Sequence, residues 1–101
     1  MIRHVVMWNV AGETDGERAA ARASVKRAFE SLRGRIPGMT HLEVGADFSA
    51  ADYACDLILV AEFESREALD GYATHPEHAR VRDSLAGLRI ARHQVDYAME
   101  W

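Results

Sequence analysis

Leu57-Ile58-Leu59-Val60-Ala61 is apolar without interruption, and it constrains the fold more than any other run in the chain. Successive side chains of a strand point to opposite faces, so a strand with one wet face alternates apolar and polar residues. This run reads as a strand, Asp56 to Glu64, that is apolar on both faces. Ile2 to Val10 behaves in the same way: Val5 and Met7 share one face, Val6 and Trp8 the other. Two such strands belong in the middle of a sheet that is covered on both sides.

The rest of the chain supplies partners for them. Thr14-Asp15-Gly16-Glu17 has the form of a capping box, with Glu17 reaching back to the Thr14 amide. The helix that follows carries Ala21, Val25, Ala28, Phe29 and Leu32 as one apolar stripe, and Gly34 is a suitable stop. Pro37-Gly38 turns the chain into a strand from Met39 to Asp47, and Phe48 to Cys55 is a loop. Ser65 caps a short helix with Ala68, Leu69 and Tyr72. Pro76 opens another, where its missing amide hydrogen costs nothing, with Val81, Leu85 and Leu88 inward and Gly87 at its weak end. Arg92 to Met99 is the last strand. The order strand, helix, strand, strand, helix, strand predicts an α+β fold, a four-stranded antiparallel sheet with its helices on one face.

Helices on one face leave the other bare. Val5, Met7, Ile58, Val60, Val95, Tyr97 and Met99 would lie on that bare face. At about 2 kcal/mol each, leaving them wet forgoes on the order of 10–15 kcal/mol, as much as the whole stability of a typical domain, ~5–15 kcal/mol. A homodimer with two sheets face to face is the expected remedy.

A chain of 101 residues is one domain, residues 1–101, and 49% hydrophobic with 28% charged residues excludes disorder. The net charge of -4 argues against nucleic acid, and Arg18, Arg22, Lys26, Arg27, Arg33 and Arg35 read as a solvated face. Cys55 is the single cysteine, which points to a reducing compartment; with no signal-peptide pattern and no apolar run of ~20 residues, a cytoplasmic protein without membrane association is expected.

Reactive side chains concentrate in Tyr72-Ala73-Thr74-His75-Pro76-Glu77-His78, a phenol and two imidazoles around a helix break. Placed in the first helical turn, His78 meets the positive end of the amide dipoles, which favours a neutral ring able to accept a proton. Tyr72 could then donate to a developing enolate or alkoxide. His4 and Asp96 share a sheet face if the first and last strands pair, and the carboxylate would hold an imidazole in one tautomer. Val6, Trp8, Leu59, Phe63 and Val81 would line an apolar pocket. His75 stands where its ring can bind backbone, a structural task, and it is kept among the residues facing a substrate. Arg92 and Gln94 fall on an edge strand with no special role. Three-residue spacing of His75 and His78 across a proline, with no cysteine beside them, gives poor support to a metal site, so none is expected.

Ile2-Arg3-His4-Val5-Val6, Ile36-Pro37-Gly38, Leu42-Glu43-Val44-Gly45, Glu62-Phe63-Glu64-Ser65, Tyr72 with His75-Pro76-Glu77-His78, and Val95-Asp96-Tyr97 together resemble the stress-responsive dimeric α/β barrel family over the whole chain. The resemblance implies a ferredoxin-like protomer and a two-sheet barrel dimer. Members of the olivetolic acid cyclase type close a ring by aldol chemistry without a cofactor. By that likeness Tyr72 and His78 are catalytic, and His4 and Asp96 belong to the pocket. Such members also have a pocket histidine where this chain has Leu57, which speaks against an identical substrate. The function so implied is cofactor-free cyclase or lyase chemistry on a small aromatic or polyketide-like molecule. The alternatives are a cofactor-free quinol monooxygenase and a non-catalytic stress or ligand-binding dimer.

Overall fold

The computed structural model describes residues 1–100; Trp101, the last residue of the expected domain, lies outside them. Strands β1 (Ile2–Val10), β2 (Met39–Ala46), β3 (Leu57–Phe63) and β4 (Arg89–Ala98) alternate with helices α1 (Asp15–Glu30), α2 (Arg66–Ala73) and α3 (Pro76–Ser84). The sheet runs β2-β3-β1-β4, every neighbouring pair antiparallel. This is the ferredoxin-like arrangement, and the two strands without alternation are indeed its central pair.

Alternation then sorts the side chains. His4, Val6, Trp8 and Val10 of β1 and Leu57, Leu59, Ala61 and Phe63 of β3 are buried beneath the helices. Val25 and Phe29 of α1 and Val81 of α3 complete that core, with the Phe29 ring stacked on Trp8 at 4.8 Å between centroids. Thr14 caps α1 as expected, its hydroxyl accepting from the Glu17 amide at 3.1 Å. The return bond differs by one residue: Glu17 accepts from the amide of Glu13 at 2.8 Å, not from that of Thr14. Gly38 has φ +79°, and a Cβ there would stand 2.6 Å from the Cβ of Ala68, so a turn and a close approach of α2 both require glycine.

The chain departs from expectation most clearly after α3. Leu85 and Leu88 were expected on the helix, but α3 ends at Ser84, with Leu85 as its C-cap and Gly87 at φ +82° turning the chain. Arg89, Ile90 and Ala91, which fall between the expected helix and the expected strand, join the sheet, so β4 begins at Arg89 rather than Arg92. Val10 pairs with Arg89 and Asn9 with Ala91, with a bulge between them that absorbs Ile90. The periodic leucines mimicked one more helical turn; the glycine beyond them decided the boundary.

The expected bare face exists. Val5 stands between Val60 and Val95 in one cross-strand row, and Met7 between Ile58 and His93 in the next. Ile58, Val95 and Tyr97 are 37%, 59% and 41% exposed, while Val5, Met7, Val60 and Met99 are half-buried by their own neighbours. The wet apolar area is therefore smaller than the sequence alone suggests. Scaled by these exposures, the three exposed side chains are worth about 3 kcal/mol per protomer. No described helix is long and apolar enough to cross a membrane.

Candidate functional site

The helix-side face of β1 and the break between α2 and α3 bring four polar rings and groups together. Antiparallel pairing sets His4 opposite Asp96. The His4 Nδ1 lies 2.5 Å from Asp96 Oδ1, and the side-chain amide of Gln94 donates to Asp96 Oδ2 at 2.9 Å. In the tautomer whose Nδ1–H donates a hydrogen bond to the carboxylate, Nε2 is the ring's acceptor. His4 is only 6% exposed, edge-on to Tyr72 at 5.9 Å and to Phe63 at 6.4 Å between centroids.

Ser65 starts α2 by accepting from the Ala68 amide at 3.1 Å, and the helix carries Tyr72 to its last turn. Pro76 takes the first position of α3, and His75 caps it through Nδ1, which accepts from the Glu77 amide at 3.0 Å. His75 thus has a structural task, and its δ nitrogen is occupied by the backbone. The break folds His78 back on Tyr72, with 4.5 Å between ring centroids at 60°. Nδ1 of His78 is buried and has no hydrogen-bond partner among the described residues.

Electrostatics give the two rings opposite tasks. Burial pushes the Tyr72 phenol up to about 12, against the pull of the Arg92 and Arg89 charges, so it stays protonated and is able to donate. Burial also holds the His78 imidazole below its ordinary range; Arg82, Arg92 and Arg89 press the same way, and the Ala73 carbonyl opposes them. His78 is consequently neutral near pH 7 and able to accept. The direction matches the sequence expectation, but the main cause is burial rather than the helix dipole.

Val6, Leu59, Phe63 and Val81 lie where expected beneath the helices, but as packed core rather than open wall, while Trp8, 3% exposed, borders a hollow at the end of α3 and not one beside Tyr72. Tyr72 itself is 3% exposed. Among the described residues, neither Tyr72 nor His78 lines the most prominent hollows, which range from about 380 to 640 Å³. Arg92 and Gln94, expected to be idle edge residues, are not: Gln94 binds Asp96, and Arg92 acts on both rings. Their position beside His4 was readable from strand alternation. Arg89 was hidden, because it lay outside the strand as read. Four of the six basic residues of the α1 region have partners: Arg18 pairs with Asp15, Lys26 with Glu30 and Arg35 with Glu77, and Arg33 binds the Leu42 carbonyl.

The family model described as the stress responsive A/B barrel domain matches residues 2–99. The chain belongs to this family. Comparison with curated proteins gives no match. Among solved structures, a dimeric ferredoxin-like protein of unknown function from Bacteroides fragilis is 28% identical, with a TM-score of 0.85 over 97% of this chain and 95% of that one. A dimeric ferredoxin-like protein from Jannaschia sp. is 27% identical, with a TM-score of 0.74 over 97% and 98%. A hydroxynitrile lyase from Passiflora edulis shares the fold at 15% identity, with a TM-score of 0.74 over 98% and 93%. Both of these structures at 27–28% identity are described as dimeric and ferredoxin-like.

Proposed function

We propose that this A/B barrel domain is a homodimer, packed through its bare sheet face, and a cofactor-independent acid–base enzyme. Its chemistry is an aldol-type cyclisation or the reverse, lyase-type cleavage, on a small aromatic or polyketide-like substrate. The observation that carries this reading is the pairing, at 4.5 Å between rings, of a protonated phenol with a neutral imidazole whose Nδ1 has no partner among the described residues. His78 takes a proton from the carbon next to a carbonyl, and the electron pair moves onto the carbonyl oxygen, where Tyr72 donates a hydrogen bond. The enolate carbon attacks a second carbonyl of the same molecule, and the new alkoxide recovers the proton from His78. His4, fixed by Asp96 and Gln94, positions the Tyr72 ring. The hydroxynitrile lyase from Passiflora edulis shares this scaffold, so the fold is compatible with a lyase.

The near-complete burial of Tyr72 favours a second reading, a non-catalytic dimer. One experiment separates them. The purified protein is offered polyketide thioesters, aromatic cyanohydrins and hydroquinones, following products by chromatography and oxygen by electrode. Turnover that disappears in His78→Ala and falls in Tyr72→Phe supports the enzyme. Turnover unchanged in His78→Ala removes the base assignment. A panel without turnover or thermal shift leaves the non-catalytic dimer, and oxygen uptake on hydroquinones transfers the site to a monooxygenase.

A further inference from the structure

Three arginines meet where α3 ends and β4 begins. A hollow of about 500 Å³ there is lined by Arg82, Arg89 and Arg92, with Trp8, Leu85 and Ile90 supplying apolar wall. Asp83 also borders it, yet among the described residues none of the three arginines is in an ion pair with any carboxylate. Arg89 is half-buried, its guanidinium carbon 5.4 Å from the ring centres of both Trp8 and Phe29. Stacking on aromatic faces compensates part of the cost of taking a cation from water; the rest calls for an anion.

The carbonyl end of α3 is the obvious rival for that role, since it favours positive charge. Three of its last carbonyls are already engaged: those of Val81 and Arg82 accept from the Leu85 amide, and that of Asp83 from the Ala86 amide. Arg92 donates to Gln94, a neutral group. Two unneutralised charges therefore face a hollow with a third, and they repel one another; burial and the neighbouring Arg92 and Arg82 charges hold the Arg89 guanidinium below its ordinary range. The wall offers Trp8 as well, 3% exposed, whose indole nitrogen has no acceptor among the described residues.

We propose that this hollow binds the carboxylate of a small aromatic or acyl acid, gripped by the guanidinium forks of Arg82 and Arg92, with its apolar part against Leu85 and Ile90. Guanidinium matches a carboxylate with two parallel hydrogen bonds, and the mixed wall suits an organic acid better than a bare inorganic anion. Arg89 and Arg92 act on both Tyr72 and His78, so an acid held here lies within electrostatic reach of the two rings. The inference does not need the proposed enzyme: neither ring lines the hollow, and binding stands on the arginines alone.

Isothermal titration of the whole protein with benzoate at low salt tests it, with benzamide as the neutral isostere and inorganic phosphate as the bare anion. Expected are saturable benzoate binding, at least tenfold weaker binding of benzamide, and at least tenfold loss in Arg82→Gln and in Arg92→Gln. Both arginines are exposed, so these variants keep the wild-type melting temperature, and Arg92→Lys recovers only part of the affinity. Bound benzoate also raises the His78 titration midpoint seen by NMR, because a nearby anion favours imidazolium. His78→Ala retains benzoate binding whether or not the protein turns over any substrate, so failure of the enzyme and failure of the acid site are read separately. Absence of benzoate binding, equal binding of benzamide, tighter binding of phosphate, or full affinity in the Arg82→Gln/Arg92→Gln double variant overturns the proposal.

Discussion

Val95→Glu tests whether the bare sheet face joins two copies. Val95 lies in the row Val60-Val5-Val95 and is 59% exposed in the single chain. In a lone protomer the glutamate carboxylate stays in water, and the change costs well under 1 kcal/mol, as surface substitutions do. In a dimer with sheets packed face to face, the same carboxylate enters a dry seam. Removing one unpaired carboxylate from water costs several kcal/mol after relaxation, and twofold symmetry repeats it. Taking about 3 kcal/mol for each, the dimer loses about 6 kcal/mol, or roughly four powers of ten in Kd.

The assay is sedimentation velocity from nanomolar to high micromolar protein, with circular dichroism to confirm that the fold persists. The wild type should sediment as a dimer throughout the micromolar range, and Val95→Glu as a folded monomer over the same range. Val95→Thr, which keeps the shape and adds no charge, should remain largely dimeric. A wild type that is monomeric at high micromolar concentration refutes the reasoning. So does a Val95→Glu protein that dimerises with undiminished affinity, since the contact surface would then lie elsewhere.

Gly38→Ala combines a left-handed backbone with a Cβ 2.6 Å from that of Ala68, and should lower stability by about 1–3 kcal/mol in urea unfolding; a loss below about 0.5 kcal/mol would mean that the turn relaxes freely. The depressed His78 midpoint makes the folded state bind fewer protons than the unfolded state below the ordinary histidine value of about 6.5. Stability therefore falls as pH drops from about 6.5 towards the folded midpoint, and is level above that window as far as this residue is concerned. The drop should be shallower in His78→Gln, measured by urea unfolding between pH 5 and 8; parallel wild-type and variant curves would show that His78 is not held neutral.

Most of the fold was legible because two periodicities write it directly. Apolar residues on both faces placed β1 and β3 at the centre, and the caps Thr14 and Ser65 fixed two helix starts. The boundary at Leu85–Leu88 was not legible, because leucine spacing fits one more helical turn as well as it fits a turn packed on the core. That misplacement had a cost at the site. With the strand begun at Arg92, Arg89 had no position, and the cationic surroundings of Tyr72 and His78 could not be assembled. The Tyr72–His78 neighbourhood itself was visible in the motif, whereas the burial that sets their protonation depends on Phe63 and His4, distant in sequence.

A single residue step along β4 separates the proposed dimer surface from the candidate site. Val95 and Tyr97 point to the bare face, while Asp96 between them turns inward to hold His4. The register His4–Asp96 and Val5–Val95 fixes both at once, and a slip of one residue would send the carboxylate into the dimer seam and a valine onto His4. The Asp96–His4 bond and the Val60-Val5-Val95 row thus restrain the same register from opposite sides of the sheet. On this geometry Asp96→Asn and Val95→Glu act on different properties despite being adjacent: the first alters the tautomer available to His4 and leaves association intact, while the second dissociates the protomers and leaves the His4–Tyr72–His78 cluster assembled.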